Sequence, residues 1–339
     1  MNKSEWDFPF AFIVCGIGMK KILVITSKTD EHADYIIEKC NSIGCDNIVR
    51  FNTEDFFSNI KTTFDGNSIR TYIKDSCLSF DTNEIYTVWY RRPVVPSLDN
   101  YEDEGIKKFM REQYTAYING LYYCTHESSL WINDLRRALF AKNKIYQLSL
   151  ANKIGFKVPK VIVSNDYDDI LKFARHETIC NKTLDVPRYS IDGQNHPYMT
   201  RKVTYEDIRD NKESIEACPS MFEEYIDKLY DIRVVIFGEH IYAFEIHSQS
   251  NELSSVDVRG VDPEKLEHRA HSLPQNIIFL IKEFMDIQGL VFSSMDLLLS
   301  KQGEYYFLEN NVNGQWLWLE YMTSIDMSSS FIEFLKNHR

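Results

Sequence analysis

Short apolar runs alternate with amphipathic stretches through the first third of the chain. Residues 22–26 form an apolar run, residues 31–43 repeat apolar positions at helical spacing, and residues 47–52 form a second apolar run. This β-α-β order predicts a small open α/β layer. Further elements are predicted before residue 125: strands at 68–73, 77–79 and 87–90, and a helix at about 101–123.

The remaining two thirds are richer in strands. Apolar positions at helical spacing follow Asn133 and Asp134 and stop at Gly155, which predicts a helical region between them. The pattern after it is of the α+β type, with antiparallel hairpins late in the chain. The elements predicted there are strands at 158–164, 177–184, 221–226, 231–237 and 240–247, helices at 167–175, 274–285 and 328–337, and a polar loop at 188–197.

The most informative segment is a predicted hairpin of residues 290–300 and 304–310, which turns at Lys301-Gln302-Gly303. A two-residue loop, Gln302-Gly303, would place Asp296 directly opposite Glu309. Such a pair has Cβ atoms about 5 Å apart, and two like charges there are destabilising unless a cation lies between them. Asn311 points to the same face as Glu309 because side chains alternate along a strand.

Asp296, Glu309 and Asn311 together form the set of hard oxygens that Mg²⁺ prefers beside phosphates. A solvated hairpin face is the alternative, but apolar neighbours favour a buried position at a cleft. Carboxylates on opposite faces, or an arginine filling the gap, would contradict the metal site. The apolar neighbours are Val291, Phe292, Leu297, Leu298 and Phe307.

Composition narrows the class of protein. The 339 residues suffice for two or three domains, and a formal net charge of −12 argues against duplex nucleic acid as a partner. Seven scattered cysteines without a C-x-x-C motif predict a reduced, cytoplasmic protein. The apolar run at 8–17 is too short to span a membrane, and acidic residues precede it where a secretion signal would be basic.

Three further groups accompany the predicted metal site. Lys182 interrupts a strand-like run and Lys144 begins a helix, so both are candidates for binding phosphate, although each lysine alone is more often a solvated surface residue. Residues 222–226 form a strand that could offer backbone groups to a nucleotide base. Asp231 and Arg233 share one strand face, where a plain surface ion pair is the alternative. The chain lacks G-x-G-x-x-G and Walker-type motifs, so nucleotide binding requires another scaffold.

The order of these segments resembles the ATP-grasp fold over about residues 127–330. The segments are the two lysines, Glu224-Tyr225-Ile226, Asp231-Ile232-Arg233 and the late D…E-x-N hairpin. Additional segments are similar to graspetide synthetases, the ATP-grasp maturases of ribosomally made peptides, including the microviridin and grasp-with-spasm types. Val312 and Val258 depart from that pattern, in place of a proline and an aromatic residue. The segments are Trp89-Tyr90-Arg91-Arg92-Pro93, Asn133-Asp134, Asn143-Lys144, Gln147-Leu148, Lys182-Thr183-Leu184, the stretch 245–249, Asp257-x-Arg259 and the stretch 313–316.

The resemblance implies a division of the chain and a homodimer. Residues 1–18 would be an N-terminal extension, and 19–126 a pre-ATP-grasp α/β domain with a possible part in peptide recognition. Residues 127–218 would form linker helices and the central ATP-grasp subdomain, and 219–339 the C-terminal subdomain with the magnesium hairpin.

The resemblance also implies the chemistry. ATP would contact Lys144, Lys182, Glu224, Tyr225, Ile226 and Asp231, while Asp296, Glu309 and Asn311 bind Mg²⁺. A side-chain Asp or Glu of a precursor peptide, with a leader and an acidic, Thr-rich core, would be phosphorylated and joined to a Ser or Thr hydroxyl or a Lys amine. Arg233, Arg259 and Asp257 would act at the acyl centre. His247 is a candidate proton acceptor or a core histidine, with the two equally weighted. The basic spots Arg91, Arg92, Arg136 and Arg137 are candidates for peptide binding.

Three other functions remain open at this point. The first is a ligase of the same fold that acts on a small molecule or a protein C-terminus, and the second is a kinase that leaves a phosphorylated product. A catalytically inactive binding module would carry an incomplete metal set, which this chain does not.

Overall fold

The computed structural model describes residues 20–175, 177–185, 188–192 and 194–337. The predicted extension, residues 1–18, lies outside them. Among the described residues, no helix combines the length and apolarity needed to cross a bilayer.

The N-terminal region has a four-stranded parallel sheet in the order β2-β1-β6-β7 and a three-stranded antiparallel sheet, β3-β4-β5. The predicted α/β layer is therefore confirmed. The long helix begins at Glu104, because the Asp103 side chain accepts a hydrogen bond from the Ile106 N–H and caps it. The elements are β1 (Lys21–Thr26), α1 (Glu31–Ser42), β2 (Ile48–Asn52), α2 (Phe56–Asn59), β3 (Ile60–Phe64), β4 (Ile69–Ile73), β5 (Leu78–Asp81), β6 (Ile85–Tyr90), α3 (Glu104–Thr125) and β7 (Leu130–Ile132).

The middle region contains a four-stranded antiparallel sheet in the order β12-β9-β13-β8. The prediction of a polar loop at 188–197 is wrong, since two short strands pair there as a hairpin, with Arg188 opposite Pro197. The elements are α4 (Leu135–Ala141), α5 (Lys144–Ile154), β8 (Val161–Ser164), α6 (Tyr167–Ala174), β9 (Ile179–Lys182), β10 (Arg188–Ile191), β11 (Gln194–Pro197), β12 (Arg201–Val203), α7 (Tyr205–Asp210), α8 (Lys212–Ala217) and β13 (Ser220–Glu224).

The C-terminal region is built on a five-stranded antiparallel sheet in the order β16-β15-β14-β17-β18. Helix α9 packs its apolar positions, including Ile281 and Phe284, on one face of this sheet with Met295 and Phe307. The elements are β14 (Lys228–Phe237), β15 (His240–Ile246), β16 (His268–Ala270), α9 (Gln275–Gln288), β17 (Phe292–Ser300), β18 (Tyr305–Asn311), α10 (Leu317–Thr323) and α11 (Met327–Asn337).

One apolar core joins the N-terminal sheet to the C-terminal sheet. Ile22 and Trp89 from the first region pack in the same buried cluster as Phe237, Trp316 and Phe331 from the last. The loop that follows β18 is thereby held between the two sheets, next to the end of the hairpin that carries the predicted metal ligands.

Candidate active site

The predicted pairing of the two carboxylates is confirmed, although the turn differs from the predicted one. Asp296 lies opposite Glu309 on β17 and β18. The loop has three residues rather than two, because the Ser300 N–H donates to the Glu304 carbonyl and Gly303 adopts a φ of 80°. A bulge at Leu308 shifts the register by one residue and restores the Asp296–Glu309 pair.

Charged groups compensate the two carboxylates on either side. Asp296 Oδ1 lies 2.6 Å from Arg233 Nε on β14, and Glu309 Oε2 lies 3.1 Å from Lys144 Nζ. Burial raises the pKa of Asp296 to about 6, against the opposing effect of Arg233. Burial also opposes ionisation of Glu309, but Lys144 and Lys182 outweigh it and lower the pKa of that carboxyl to about 2.

The donor set fits a divalent ion. The Asn311 amide nitrogen lies 3.1 Å from both Asp296 Oδ2 and Glu309 Oε1, so one oxygen of each acid converges on the same point. Arg233 contacts the other oxygen of Asp296 and does not fill this gap. Within the part of the chain that the structure describes, no group of three or more His, Cys, Asp or Glu residues could hold a metal. A magnesium ion at this point would rest on the two carboxylates and, once the Asn311 amide turns over, on its carbonyl oxygen, with the remaining positions left for phosphate and water.

A cavity of about 370 Å³ lies beside these carboxylates, between the four-stranded and the five-stranded sheets. Its size is in the range of small-molecule sites. Lys182 on β9 points into it and lies 2.5 Å from Glu223 on β13. Burial opposes the charge of Lys182, but Glu223 outweighs that effect and raises the lysine pKa.

The predicted hinge segment lines the same cavity with Glu224, Tyr225 and Ile226. The Tyr225 ring is covered by Lys202 Nζ at 3.5 Å from its centroid, a cation–π contact that ties β12 to the hinge. Lys228 lies 2.8 Å from Asp231, whose other oxygen accepts a hydrogen bond from the Ser248 hydroxyl at 2.6 Å.

A larger cavity, of about 800 Å³, adjoins the first one. Arg233, Glu309 and Arg259 line both cavities, so the carboxylate pair lies at their junction. Arg259 is held by two side-chain contacts to Asp257, at 2.9 and 2.5 Å. Arg92 lines the larger cavity only.

Most predicted site residues thus meet in one place. Twelve of them line the smaller cavity, and they come from five separate parts of the sequence. These residues are Lys144, Lys182, Glu224, Tyr225, Ile226, Asp231, Arg233, Asp257, Arg259, Asp296, Glu309 and Asn311.

His247, for which the sequence left a proton acceptor and a core histidine equally open, lines neither cavity. Its ring lies with Glu245, at 2.9 Å, and against Tyr230, with ring centroids 5.3 Å apart. Glu245 and Ile246 are adjacent on β15 and so point to opposite faces of the sheet, and Ile246 is the one that lines the cavities. His247 therefore lies with Glu245 on the opposite face, which is the face that carries Ile232 and is covered by α9.

Arg91 is also placed differently from the prediction. It is 1% exposed and donates to the Asn313 carbonyl at 2.7 Å, while Asn313 donates back to the Arg91 carbonyl. It therefore positions the loop after β18 and does not face a peptide. Arg136 bonds Tyr122 at 2.8 Å and, like Arg137, lies outside the residues that line the two cavities.

Two residues from outside the cavities support the site: the sequence marked Asn133 only as a helix cap and as part of a family-like segment, and it did not mark His32. Asn133 receives hydrogen bonds from the N–H groups of Val291 and Phe292 and donates to the Val312 carbonyl at 2.7 Å, so it joins the start of β17 to the end of the hairpin. His32 accepts from the N–H groups of Trp316 and Leu317 at 3.0 Å each. Burial lowers the pKa of His32 to about 3 and keeps it a neutral acceptor. Both residues lie far in sequence from the groups that they hold, and no local pattern marks these contacts.

Comparisons with known proteins agree with this geometry. Residues 21–138 match the model of the MvdD pre-ATP grasp domain. Among curated proteins, none matches the sequence. Among solved structures, the chain is similar to a RiPP-associated ATP-grasp ligase of Chryseobacterium gregarium, determined with ADP and a leader and core peptide. The identity is 26%, the TM-score is 0.85, and the match covers 94% of this chain and 97% of that one.

Two further structures share the fold at lower identity. The macrocyclase MdnC of Microcystis aeruginosa, bound with precursor peptide MdnA, is 24% identical with a TM-score of 0.81, covering 94% of this chain and all of the other. The ATP-grasp ligase PsnB, determined with a precursor variant, Mg and ADP, is 19% identical with a TM-score of 0.72, covering 95% and 99% of the two chains.

Proposed function

We propose that this chain, an ATP-grasp ligase with an MvdD-type pre-ATP-grasp domain at residues 21–138, closes rings in a ribosomally made precursor peptide. The activated group is a side-chain carboxylate of Asp or Glu in the peptide. The attacking group is a Ser or Thr hydroxyl or a Lys amine of the same peptide, which gives an ester or an amide.

The smaller cavity supplies a nucleotide site for this reaction. Lys144 and Lys182 are the cations available to the triphosphate, and the backbone of residues 224–226 is available to the base. ATP with Mg²⁺, when bound, supplies the γ-phosphoryl group that converts the peptide carboxylate to an acyl phosphate. Asp296, Glu309 and Asn311 would hold the ion. Positioning and charge stabilisation then account for most of the rate, as in phosphoryl transfer generally.

The larger cavity supplies the acyl site. Arg233 and Arg259 line both cavities and can stabilise negative charge on the acyl oxygen, with Asp257 holding the Arg259 guanidinium in place. Arg92 lines the far side of the larger cavity and is available to an acidic stretch of the peptide. The neighbours solved with precursor peptides support a peptide, rather than a free amino acid, as the occupant.

One observation carries the proposal. A compensated carboxylate pair lies at the junction of a nucleotide-sized cavity and a larger cavity rich in arginine and lysine. An acid to be activated would enter from the larger cavity and meet the phosphoryl donor at that junction.

The test uses the full chain with ATP, Mg²⁺ and the peptide encoded by the short reading frame nearest to this gene. The expected result is loss of the mass of one water per ring, with one ADP formed per ring. A gain in mass with an added amine would instead identify an intermolecular carboxylate–amine ligase, and a stable phosphorylated peptide would identify a kinase. We also propose a homodimer, which light scattering of the purified chain would test.

A further inference from the structure

A second histidine lies where the sequence had placed His247. His268 begins β16 and pairs with Ile246 of β15, and directly paired residues point to the same face of a sheet. Ile246 lines both cavities, and His268 lines the larger one. The imidazole therefore lies on the wall of the proposed acyl site.

The hydrogen bonding of His268 leaves one nitrogen free. Its Nε2 atom is buried and has no hydrogen-bond partner among the described residues. A hydrogen bond to the Leu266 backbone carbonyl engages the other nitrogen as a donor, and the Trp318 ring packs against the imidazole edge, with centroids 5.1 Å apart. A histidine that donates through one nitrogen presents a lone pair on the other. Such an acceptor is costly to bury unless a ligand supplies the missing donor.

The surroundings favour the neutral imidazole. Burial lowers the pKa of His268, and the charge of His247 lowers it further, against the opposing effect of the hydrogen bond to Leu266. Arg92, Lys142, Lys144, Arg233 and Arg259 line the same cavity. The acids on that wall are Asp185 and Glu309, so cations outnumber them among the described residues. A neutral base beside these cations can accept a proton near neutral pH.

We propose that His268 is the general base of ring closure, a role that rests on the proposed function. Nε2 accepts a proton from the attacking hydroxyl or neutral amine as its oxygen or nitrogen bonds to the acyl carbon. The bond from that carbon to the phosphate oxygen then breaks, inorganic phosphate leaves, and the imidazolium returns its proton to water. Phosphorylation of the peptide does not use His268.

The experiment separates activation from closure by trapping the acyl phosphate. The full chain is supplied with ATP, Mg²⁺ and the neighbouring peptide, with and without hydroxylamine, which attacks an acyl phosphate without a protein base. In His268→Gln, ring closure should fall by about 100-fold or more, as expected for loss of a general base. Hydroxamate formation and ADP release with hydroxylamine should stay within about threefold of the wild type.

Controls keep the result interpretable. His240→Gln makes the same change at the exposed start of β15 and should close rings at the wild-type rate. If His268→Gln folds poorly, the pH dependence of ring closure in the wild type tests the role of His268 as general base. The wild-type closure rate should rise with pH and level off once the imidazole is neutral, whereas hydroxamate formation should lack that rise.

The proposal would be overturned if His268→Gln closed rings at the wild-type rate. It would also be overturned if this variant, with an unchanged melting temperature, lost hydroxamate formation and ring closure to the same extent. Loss of closure in His247→Gln, but not in His268→Gln, would overturn it too. A wild type that forms neither hydroxamate nor ring would refute the proposed function itself and this role with it.

Discussion

Asp296→Asn should stabilise the metal-free protein while abolishing its activity. Asp296 is a part-buried acid that lies directly opposite Glu309, and its side chain is 22% exposed. The substitution removes a charge from this pair, keeps nearly the same shape, and leaves the amide of Asn311 able to bond Glu309. It also removes one of the two anionic ligands that a magnesium ion would need.

The magnitude follows from the carboxyl pKa, which rises from 3.8 to about 6 in the folded protein. Because the folded pKa is the higher one, the folded state binds the proton more tightly than the unfolded state. Stability contributed by this group is present below pH 4 and is lost as the pH rises through 6. Each pH unit corresponds to about 1.4 kcal/mol, so ionised Asp296 destabilises the metal-free fold by up to about 3 kcal/mol at pH 8.

The assay is urea unfolding at pH 8 and at pH 4.5, in the presence of EDTA. Asp296→Asn should raise the free energy of unfolding by about 1–3 kcal/mol at pH 8 and by about a third as much at pH 4.5, where the unfolded carboxyl is still mostly ionised. Asp99→Asn, at an exposed position, controls for the change in net charge. In parallel, ATP turnover in the presence of Mg²⁺ should fall at least about 100-fold, because charge stabilisation at the phosphates is lost.

Two results would refute this reasoning. An unchanged or lower stability at pH 8 would mean that the carboxylate pair is not strained in the absence of metal. A gain at pH 4.5 as large as the gain at pH 8 would mean that the effect comes from packing rather than charge. Undiminished ATP turnover would remove Asp296 from the metal site.

Three further predictions concern other buried contacts. Lys182→Met should destabilise the fold by about 3–5 kcal/mol, because it leaves buried Glu223 unpaired. The double variant with Glu223→Gln should regain most of the melting temperature. It should not regain ATP binding, which titration calorimetry measures. His32→Leu should cost about 2 kcal/mol at pH 9 by leaving two N–H groups of the segment 316–317 unbonded. The loss should be about 0.8 kcal/mol smaller at pH 6, because the unfolded imidazole then binds a proton that the folded one, with a pKa of about 3, does not. An equal loss at the two pH values would contradict a neutral acceptor. Arg91→Met should lower turnover about tenfold or more, because it releases Asn313. In steady-state assays the KM for ATP should stay unchanged. A raised KM with unchanged turnover would instead indicate that Arg91 contacts the nucleotide.

Much of the candidate site was predictable because its ligands lie on strands. Alternation along β18 puts Glu309 and Asn311 on one face from sequence alone, and a count outward from the turn paired Asp296 with Glu309. The count was right for a reason that the sequence did not reveal. The turn has one residue more than predicted, and the bulge at Leu308 compensates for it.

The histidine assignment shows what a sequence cannot decide. The sequence shows that side chains alternate along Glu245-Ile246-His247. Which of them faces the cavity depends on how β14 and β15 pack over the other sheet. The residue that does meet it through pairing, His268, belongs to a three-residue strand without a periodic pattern. Its position depends on a partner strand more than twenty residues earlier.

The sequence by itself determined the local elements, the α+β class, the hairpin ligands and the two lysines, because apolar periodicity and alternation are local properties of the chain. Tertiary structure alone decided that Arg91 is buried as a support for the loop after β18, that His32 and Asn133 hold that loop, and that His268 rather than His247 lines the larger cavity. Burial and charge compensation arise only when distant segments pack together, so no local pattern encodes them.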